Sequence, residues 1–292
     1  MKLKVWWSAL RPATLPAAAA PVAVGSACAF ALGGFHAPVA LACLAGALLL
    51  QIAANFANDV YDFEKGADRE GRLGPPRAVQ QGWLTPAQMK RAVALVLLLA
   101  FLCGLYLVRV AGFPILVLGL ASMLASLAYT AGPWPLAYLG LGDLFVWIFF
   151  GFVAVCGTAF AHLLRVPPVA WWSALGLGAQ ATAILVVNNL RDIEGDARAG
   201  KRTLAVRLGR RASIAEYALL AGISFLAPTL GWAMGQAPWG ILLVWLAAPL
   251  SLWRIVRVAR DSGLALNRSL AGTGRIVALQ GLLLSLGLIV AR

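Results

Sequence analysis

The chain reads as an all-α, polytopic membrane protein, and three observations predict that class. Hydrophobic residues make up 61% of its 292 positions and charged residues 12%, about half the charged share of a soluble domain, and mean hydropathy is +0.83. The apolar runs continue for roughly 20 residues, the length a helix needs to cross a bilayer, whereas a membrane barrel alternates over short segments. All of the 24 Lys and Arg except Arg109, Arg165 and Arg292 fall on one side of the resulting topology, the asymmetry of the positive-inside rule.

Nine spans follow, at 13–33, 38–61, 87–109, 112–131, 141–163, 169–190, 213–234, 238–258 and 272–291. Span one follows Lys2, Lys4 and Arg11 and contains Pro16 and Pro21; with no convincing cleavage site, it does not read as a signal peptide. After span two, Gly66 and Gly71 end helical continuity and Gly74-Pro75-Pro76 forms a turn. Thr85-Pro86-Ala87-Gln88 then reads as a capping box with proline at the first helical position, so span three begins at Pro86. The loop after span four holds Gly132-Pro133-Trp134-Pro135. The two longest polar segments, 62–86 and 191–212, follow spans two and six and share an order of asparagine, aspartates, then Lys/Arg. No soluble appendage or low-complexity linker interrupts the pattern, so residues 1–292 read as one transmembrane domain. The N-terminus is expected in the cytoplasm and the C-terminus outside, in a cell inner (plasma) membrane. The net charge of +13 then reports topology rather than nucleic-acid binding. Cys28, Cys43, Cys103 and Cys156 read as packing residues, and His36 and His162 map to the outer side.

Only 11 residues are acidic, and eight of them form two clusters at the cytoplasmic ends of spans. The first is Asp59, Asp62, Glu64, Asp68 and Glu70, led by Asn55 and Asn58; the second is Asp192, Glu194 and Asp196, led by Asn188 and Asn189. Carboxylates at membrane helix ends are costly and read as functional. Hard oxygen ligands in two groups suggest a divalent cation, with magnesium foremost, holding a phosphate-bearing substrate. If span two stays helical to 62, Gln51, Asn55, Asn58 and Asp62 fall within an arc of roughly 60°, a polar stripe that faces a bundle interior. Asn58 and Asp62, one turn apart, reach one ion; Asp59 lies at the arc's edge, and Asp68 returns through the Gly66 bend. Asn188, Asp192 and Asp196 share a face, but they span about 12 Å of a straight helix, too far for one magnesium with bonds of about 2.1 Å. Either the helix bends at Gly195, or two ions bind, or one ligand acts through water. Lys65, Arg72 and Arg77 follow the first cluster, and Arg191, Arg198, Lys201 and Arg202 accompany the second. Metal with Lys/Arg suits an anionic leaving group of several oxygens, so Lys65, Arg72, Arg77, Arg191 and Lys201 are candidate diphosphate ligands. No Gly-x-x-x-x-Gly-Lys phosphate loop is present, which disfavours nucleotide hydrolysis.

These residues resemble the UbiA superfamily of intramembrane aromatic prenyltransferases, and within it the branch that prenylates 1,4-dihydroxy-2-naphthoate in menaquinone synthesis. Four stretches carry the resemblance: RPATLPAAAAPVAVG (11–25), NDVYDFEKGADREGRLGPPRAVQ (58–80), AYLGLGD (137–143) and NNLRDIEGDARAGKRTLAVRLG (188–209), with NRSLAGTGR (267–275) extending it. Asp62 and Asp68 are six positions apart where the wider superfamily has four, and the naphthoate branch looks like this chain. The resemblance implies nine helices around a central cavity that opens to the cytoplasmic side. It implies magnesium, a polyprenyl diphosphate donor and a dihydroxynaphthoate acceptor, within a lipid bilayer and without nucleic acid. Carried over, Asn58, Asp62 and Asp68 hold one ion, and Asn188, Asp192 and Asp196 the other, which makes Asp62, Asp68, Asp192 and Asp196 the catalytic carboxylates. Arg77 and Lys201 contact diphosphate; Arg11, with Gln51 and Asn55, serves the acceptor. Diphosphate leaves, an allylic carbocation forms in a dry cavity, the ring attacks it, and carbon dioxide is lost. Tyr61, Tyr129, Trp147 and Phe149 are candidates to favour that cation. The alternatives are another acceptor, such as 4-hydroxybenzoate, a chlorophyll precursor or a glycerol phosphate; a divalent-cation or organic-anion transporter, which calls for acids near the bilayer midplane; and a non-catalytic lipid-binding scaffold.

Overall fold

A computed structural model describes residues 2–67 and 73–291, and all of its regular elements are helical. In chain order they are α1 (Lys2–Leu10), α2 (Leu15–Ala31), α3 (Ala37–Glu64), α4 (Pro86–Ala111), α5 (Phe113–Ala128), α6 (Gly142–Leu163), α7 (Pro168–Arg191), α8 (Ile193–Arg198), α9 (Leu204–Ala233), α10 (Trp239–Arg260) and α11 (Leu266–Val290). Among the described residues, eight helical stretches are long and apolar enough to cross a membrane; α5, with 16 residues, is shorter than these.

Local signals in the sequence explain most boundaries. Helix α4 begins at Pro86 under a capping box in which both reciprocal bonds form, Gln88 N–H to Thr85 Oγ1 (3.2 Å) and Thr85 N–H to Gln88 Oε1 (2.9 Å). Helix α3 stays helical through Asp62 to Glu64, and Gly66, with φ 67°, turns the chain away. The left-handed sign of that φ favours glycine. Three ends depart from the hydropathy spans. Helix α9 starts at Leu204 rather than 213, because the arginine-rich stretch 207–211 stays helical on both sides of a kink at Gly209 (φ 78°). Helix α11 starts at Leu266 rather than 272, and α1 adds a nine-residue helical arm before span one. Arg and Lys are good helix formers, so charge ends the membrane-embedded portion without ending the helix.

Helix α7 is the hub. Of its apolar window 72% is buried inside the protein, against 11% for α3, so α7 packs in the centre while the middle of α3 lies at the periphery. Small residues allow the approach of neighbours: a Cβ added to Gly178 of α7 would sit 2.7 Å from Gly151 Cα of α6. Gly240 of α10 and Gly287 of α11 meet backbone to backbone in the same way. Without a hydrophobic driving force in lipid, such close van der Waals packing carries helix association. Helix α6 widens into a π-helical stretch over Trp147–Cys156, from which Phe149, Phe150 and Val153 face an apolar recess. All four cysteines are free; Cys28 and Cys156 are buried. His162 is buried and its Nδ1 accepts from the His36 backbone N–H (3.2 Å), which ties the α2–α3 and α6–α7 turns together at one end of the bundle.

Candidate active site

The opposite end of the bundle encloses a chamber of about 960 Å³, walled by the N-terminal bend, the C-terminal halves of α3 and α7, and the loops after them. Helix α3 sends its polar stripe into this chamber: Gln51, Asn55, Asn58 and Asp62 all line it. Asn188, Asp192 and Asp196 line the facing wall. Asp62 of the first cluster therefore faces the second cluster, and Lys201 stands between Asp62 and Asp196. Its Nζ lies 3.2 Å from Asp62 Oδ2 and 3.6 Å from Asp196 Oδ1.

Asp62 is 2% exposed. Its Oδ2 also accepts from Arg77 Nη2 (2.9 Å) and its Oδ1 from the Tyr138 hydroxyl (3.1 Å). Arg77 donates besides to the Asn58 backbone carbonyl, and Asn58 Oδ1 accepts from Thr130 Oγ1 (2.9 Å). A buried carboxylate is stable only when paired and hydrogen-bonded, and two cations with a phenol meet that need. The neighbouring Asp59, equally buried, has a different task. Its oxygens accept from the backbone N–H of Ala78 (2.9 Å) and Val79 (3.1 Å). Asp59 thus anchors the turn that delivers Arg77 and does not face the chamber.

On the other wall the helix breaks at Asp192 (φ −98°, ψ 9°) and resumes as α8. A bend at Gly195 is one of three alternatives for this cluster; the break lies three residues earlier, at the ligand candidate itself, and separates Asp192 and Asp196 onto different helical segments. Arg191 grips Asp192 with two donors, Nε to Oδ1 (2.8 Å) and Nη2 to Oδ2 (2.5 Å). Burial pushes the Asp196 carboxyl up to about 6; Lys201 opposes the rise, and Asp192 and Asp62 add to it. Burial, and then Asp62, also raise the Tyr138 phenol above its ordinary value.

The remaining candidates separate. Arg11 lines the chamber from a left-handed backbone position (φ 51°). Gln51 and Asn55 hold that bend: Gln51 Nε2 donates to Thr14 Oγ1 (3.1 Å), and Asn55 Nδ2 to the Leu10 carbonyl and Thr14 Oγ1 (3.0 Å each). Lys65 points elsewhere, donating to the carbonyls of Thr130 (2.8 Å) and Gly132 (3.1 Å) over the Tyr138 ring. Glu64 pairs with Lys90 on the exterior (2.7 Å). Asp68 and Arg72 lie outside the described residues. Of the aromatic candidates, Tyr129 lines the chamber and Phe149 the apolar recess, whereas Tyr61 packs beneath Lys90 and Trp147 donates to the Leu175 carbonyl. Sequence reasoning missed Tyr138, Thr130, Thr14 and Asn267. Tyr138 and Asn267 fall in the stretches AYLGLGD and NRSLAGTGR, so the motif resemblance was the signal that could have found them.

Among the described residues, no three carboxylate, histidine or thiol groups converge as a preformed metal site; Arg77, Arg191 and Lys201 hold the carboxylates instead. The donors nevertheless fit magnesium in chemistry. They are hard oxygens only, from Asn58, Asp62, Asn188, Asp192 and Asp196 around one chamber, and a cation beside Asp196 relieves the burial and like-charge crowding that raise its carboxyl. The chamber continues into the apolar recess through Gln51, Ala54, Tyr129, Val146 and Phe150, which line both. That recess, about 260 Å³, lies between α3, α4, α5 and α6 and is open at the half-exposed Leu105 and Leu120.

Comparison with known proteins bears on the family and the fold. The profile of the UbiA prenyltransferase family matches residues 18–290. The chain is 38% identical to the 1,4-dihydroxy-2-naphthoate octaprenyltransferase of Haemophilus influenzae, covering 99% of this chain and 97% of that one. It is 39% identical to the enzyme of the same name from Escherichia coli K12 (100% and 97%) and 40% identical to that of Mycobacterium tuberculosis (89% and 92%). Among solved structures, a UbiA homolog from Archaeoglobus fulgidus bound to DMAPP and Mg2+ superposes with a TM-score of 0.69 at 17% identity, covering 99% and 100% of the two chains. One from Aeropyrum pernix K1 superposes at 0.68 and 17%, covering 93% and 97%. At these identities the two structures bear on the fold.

Proposed function

The chain belongs to the UbiA prenyltransferase family, and on that footing we propose that it transfers a polyprenyl group from polyprenyl diphosphate to 1,4-dihydroxy-2-naphthoate, releasing diphosphate and carbon dioxide and giving demethylmenaquinol. The observation that carries the chemistry is the chamber in which Asp62 of the first cluster faces the second cluster across Lys201 and which runs on into an apolar recess. The near-full-length identity to naphthoate octaprenyltransferases supports the choice of acceptor.

Diphosphate enters between the clusters. Lys201 and Arg77, paired with Asp62 in the structure, exchange part of that pairing for phosphate oxygens and neutralise the leaving group. Asn58 and Asp62 on one wall and Asn188, Asp192 and Asp196 on the other, together with Asp68 of the first motif, which lies outside the described residues, are the residues that would hold magnesium. Bound there, it supplies positive charge to the oxygens of the departing diphosphate. The prenyl carbon–oxygen bond breaks with its electron pair on diphosphate. Tyr129, Val146 and Phe150 form a dry wall beside the resulting allylic cation and keep water from it. The ring carbon bearing the carboxylate donates the electron pair of the new carbon–carbon bond. Carbon dioxide then leaves, its former bonding pair returning to the ring, so charge balances and aromaticity is restored. Arg11 is assigned to the acceptor's carboxylate, with Gln51 and Asn55 holding the bend that presents it. The isoprenoid tail lies in the recess and reaches lipid past Leu105 and Leu120.

The Lys/Arg asymmetry supports placing the chamber at the cytoplasmic face of the inner membrane, where soluble diphosphate chemistry takes place, with residues 1–292 acting as one catalytic domain. The test is purified full-length chain in detergent with magnesium, dihydroxynaphthoate and a prenyl diphosphate, read by product mass. A decarboxylated, prenylated naphthoquinol is expected. A product that keeps the carboxyl, or turnover with 4-hydroxybenzoate in place of dihydroxynaphthoate, refutes the assignment.

A further inference from the structure

Arg191 stands at the end of α7 with its side chain 2% exposed, and nearly all of its donors are committed inside the protein. Nε and Nη2 take both oxygens of Asp192, Nη2 also reaches Asn188 Oδ1 (2.8 Å), and Nη1 donates to Asn267 Oδ1 (2.8 Å). An arginine held this way has a fixed fork and little freedom to follow a substrate. Its partners include two of the three oxygen donors assigned to the second wall. Asn267 completes the arrangement from the first turn of α11. Its Oδ1 takes the donor that points away from the acidic cluster, and its Nδ2 donates to the Leu73 carbonyl (2.8 Å). Leu73 itself lines the chamber and begins the turn through Gly74-Pro75-Pro76 to Arg77, the partner of Asp62. One amide therefore braces the arginine behind the second wall and the turn that carries the arginine of the first.

We propose that Arg191 and Asn267 are a positioning pair: Arg191 orients Asn188 and Asp192 rather than binding diphosphate, and Asn267 sets both Arg191 and the Leu73–Arg77 turn. The proposal rests on the reading of Asn188 and Asp192 as metal ligands. Partners that orient metal ligands typically change metal affinity by about 10- to 100-fold when removed, whereas a side chain with no role beyond packing changes stability alone. Asn267 is half-buried at a helix start, so its replacement is compatible with folding. The two arms separate chemically. Asn267→Ala removes both; Asn267→Asp keeps an acceptor for Arg191 and replaces the donor to Leu73.

The experiment uses the full chain in detergent with Mn2+ as the probe, free Mn2+ being read by electron paramagnetic resonance without prenyl diphosphate. Thermal midpoints are taken in EDTA, and the magnesium dependence of turnover is measured alongside. Expected for Asn267→Ala is about 10-fold weaker Mn2+ binding and a matching rise in the magnesium needed for half-maximal rate. Asn267→Asp returns Mn2+ affinity to within about 3-fold of the parent, because the Arg191 arm is intact. Parental Mn2+ affinity in Asn267→Ala overturns the proposal. So does an equal loss in both variants that tracks the drop in thermal midpoint. Asp192→Asn distinguishes the two levels: if it abolishes Mn2+ binding while Asn267→Ala does not disturb it, the metal site stands and only the positioning pair fails. If Asp192→Asn leaves binding intact, the metal-ligand reading fails and this proposal with it.

Discussion

Replacing Asp62 by asparagine tests the centre of the site with the smallest change in shape. Asp62 and Arg77 are both buried and 2.9 Å apart. With an effective dielectric of about 20, their attraction is roughly 6 kcal/mol before desolvation, and most of that offsets the cost of burying the two charges. The net effect follows from what each variant leaves behind. Asp62→Asn strands two cations, Arg77 and Lys201, although Lys201 keeps Asp196 at 3.6 Å. Uncompensated buried charge costs about 3–5 kcal/mol, so the apo protein loses stability in that range. Arg77→Met leaves Asp62 with Lys201 and the Tyr138 hydroxyl, and its cost falls to about 2–3 kcal/mol, nearer the worth of hydrogen bonds to a charged group. A double-mutant cycle by thermal unfolding in detergent and EDTA then gives a coupling of at least about 1.5 kcal/mol, well beyond the additivity limit of roughly 0.5 kcal/mol. Turnover of Asp62→Asn drops by about 10²- to 10³-fold or more, as for loss of one preorganised electrostatic partner. The reasoning is refuted if Arg77→Met is the more destabilising of the two, if the coupling vanishes, or if Asp62→Asn turns over like the parent.

Three further predictions follow from the same geometry. Asp59→Ala leaves the Ala78 and Val79 N–H groups without their acceptor and costs about 1–3 kcal/mol; its kinetic effect appears as a raised KM for prenyl diphosphate, since the turn bearing Arg77 is loosened, while kcat stays within about 3-fold. Gly104 lines the recess with open space where a Cβ would go, so Gly104→Phe plugs the path of the tail; competition between a short and a long prenyl diphosphate, read by product mass, shifts at least about 10-fold toward the short donor, a change on the order of 1.4 kcal/mol. For Asp196, whose carboxyl burial pushes up to about 6, the folded apo protein binds more protons than the unfolded chain between the usual carboxylate value and about 6. This contribution to stability is therefore fully present at low pH and is lost as pH rises through that window. Asp196→Asn flattens the pH dependence of the apo thermal midpoint there, and in the parent magnesium binding weakens as pH falls below about 6, because the proton and the cation compete for one carboxylate. An unchanged pH profile in the variant contradicts this account.

Helix periodicity made much of the site readable in advance. A polar stripe on an otherwise apolar α3 has one sensible destination, and Gln51, Asn55, Asn58 and Asp62 do line one chamber. The capping box at Thr85 and the turn at Gly66 were legible because each depends on neighbours within four residues. The hydropathy spans missed the starts of α9 and α11 because Arg207–Arg211 and Asn267–Arg268 are polar yet helical, and hydropathy reports burial in lipid rather than backbone conformation. Of the three alternatives for the second cluster, a bend at Gly195 is not the one the fold uses: the helix breaks at Asp192, and the freedom glycine supplies is not needed.

What the chain alone determined is what lives on one helix or one turn: the long apolar runs, the two sets of oxygen donors and the angular position of each donor on its helix. Only the packed structure decided which atom meets which across the bundle. Asp59 and Asp62 are three residues apart and equally buried, yet one caps a backbone turn and the other holds two cations. The reach of Lys201 to both walls, the hydroxyl of Tyr138 on Asp62 and the span of Asn267 from Arg191 to Leu73 join positions tens to hundreds of residues apart. The 3.6-residue repeat sets a side chain's direction on its own helix, but its partner depends on how neighbouring helices are spaced and turned, and that is settled by close packing at contacts such as Gly151 on Gly178.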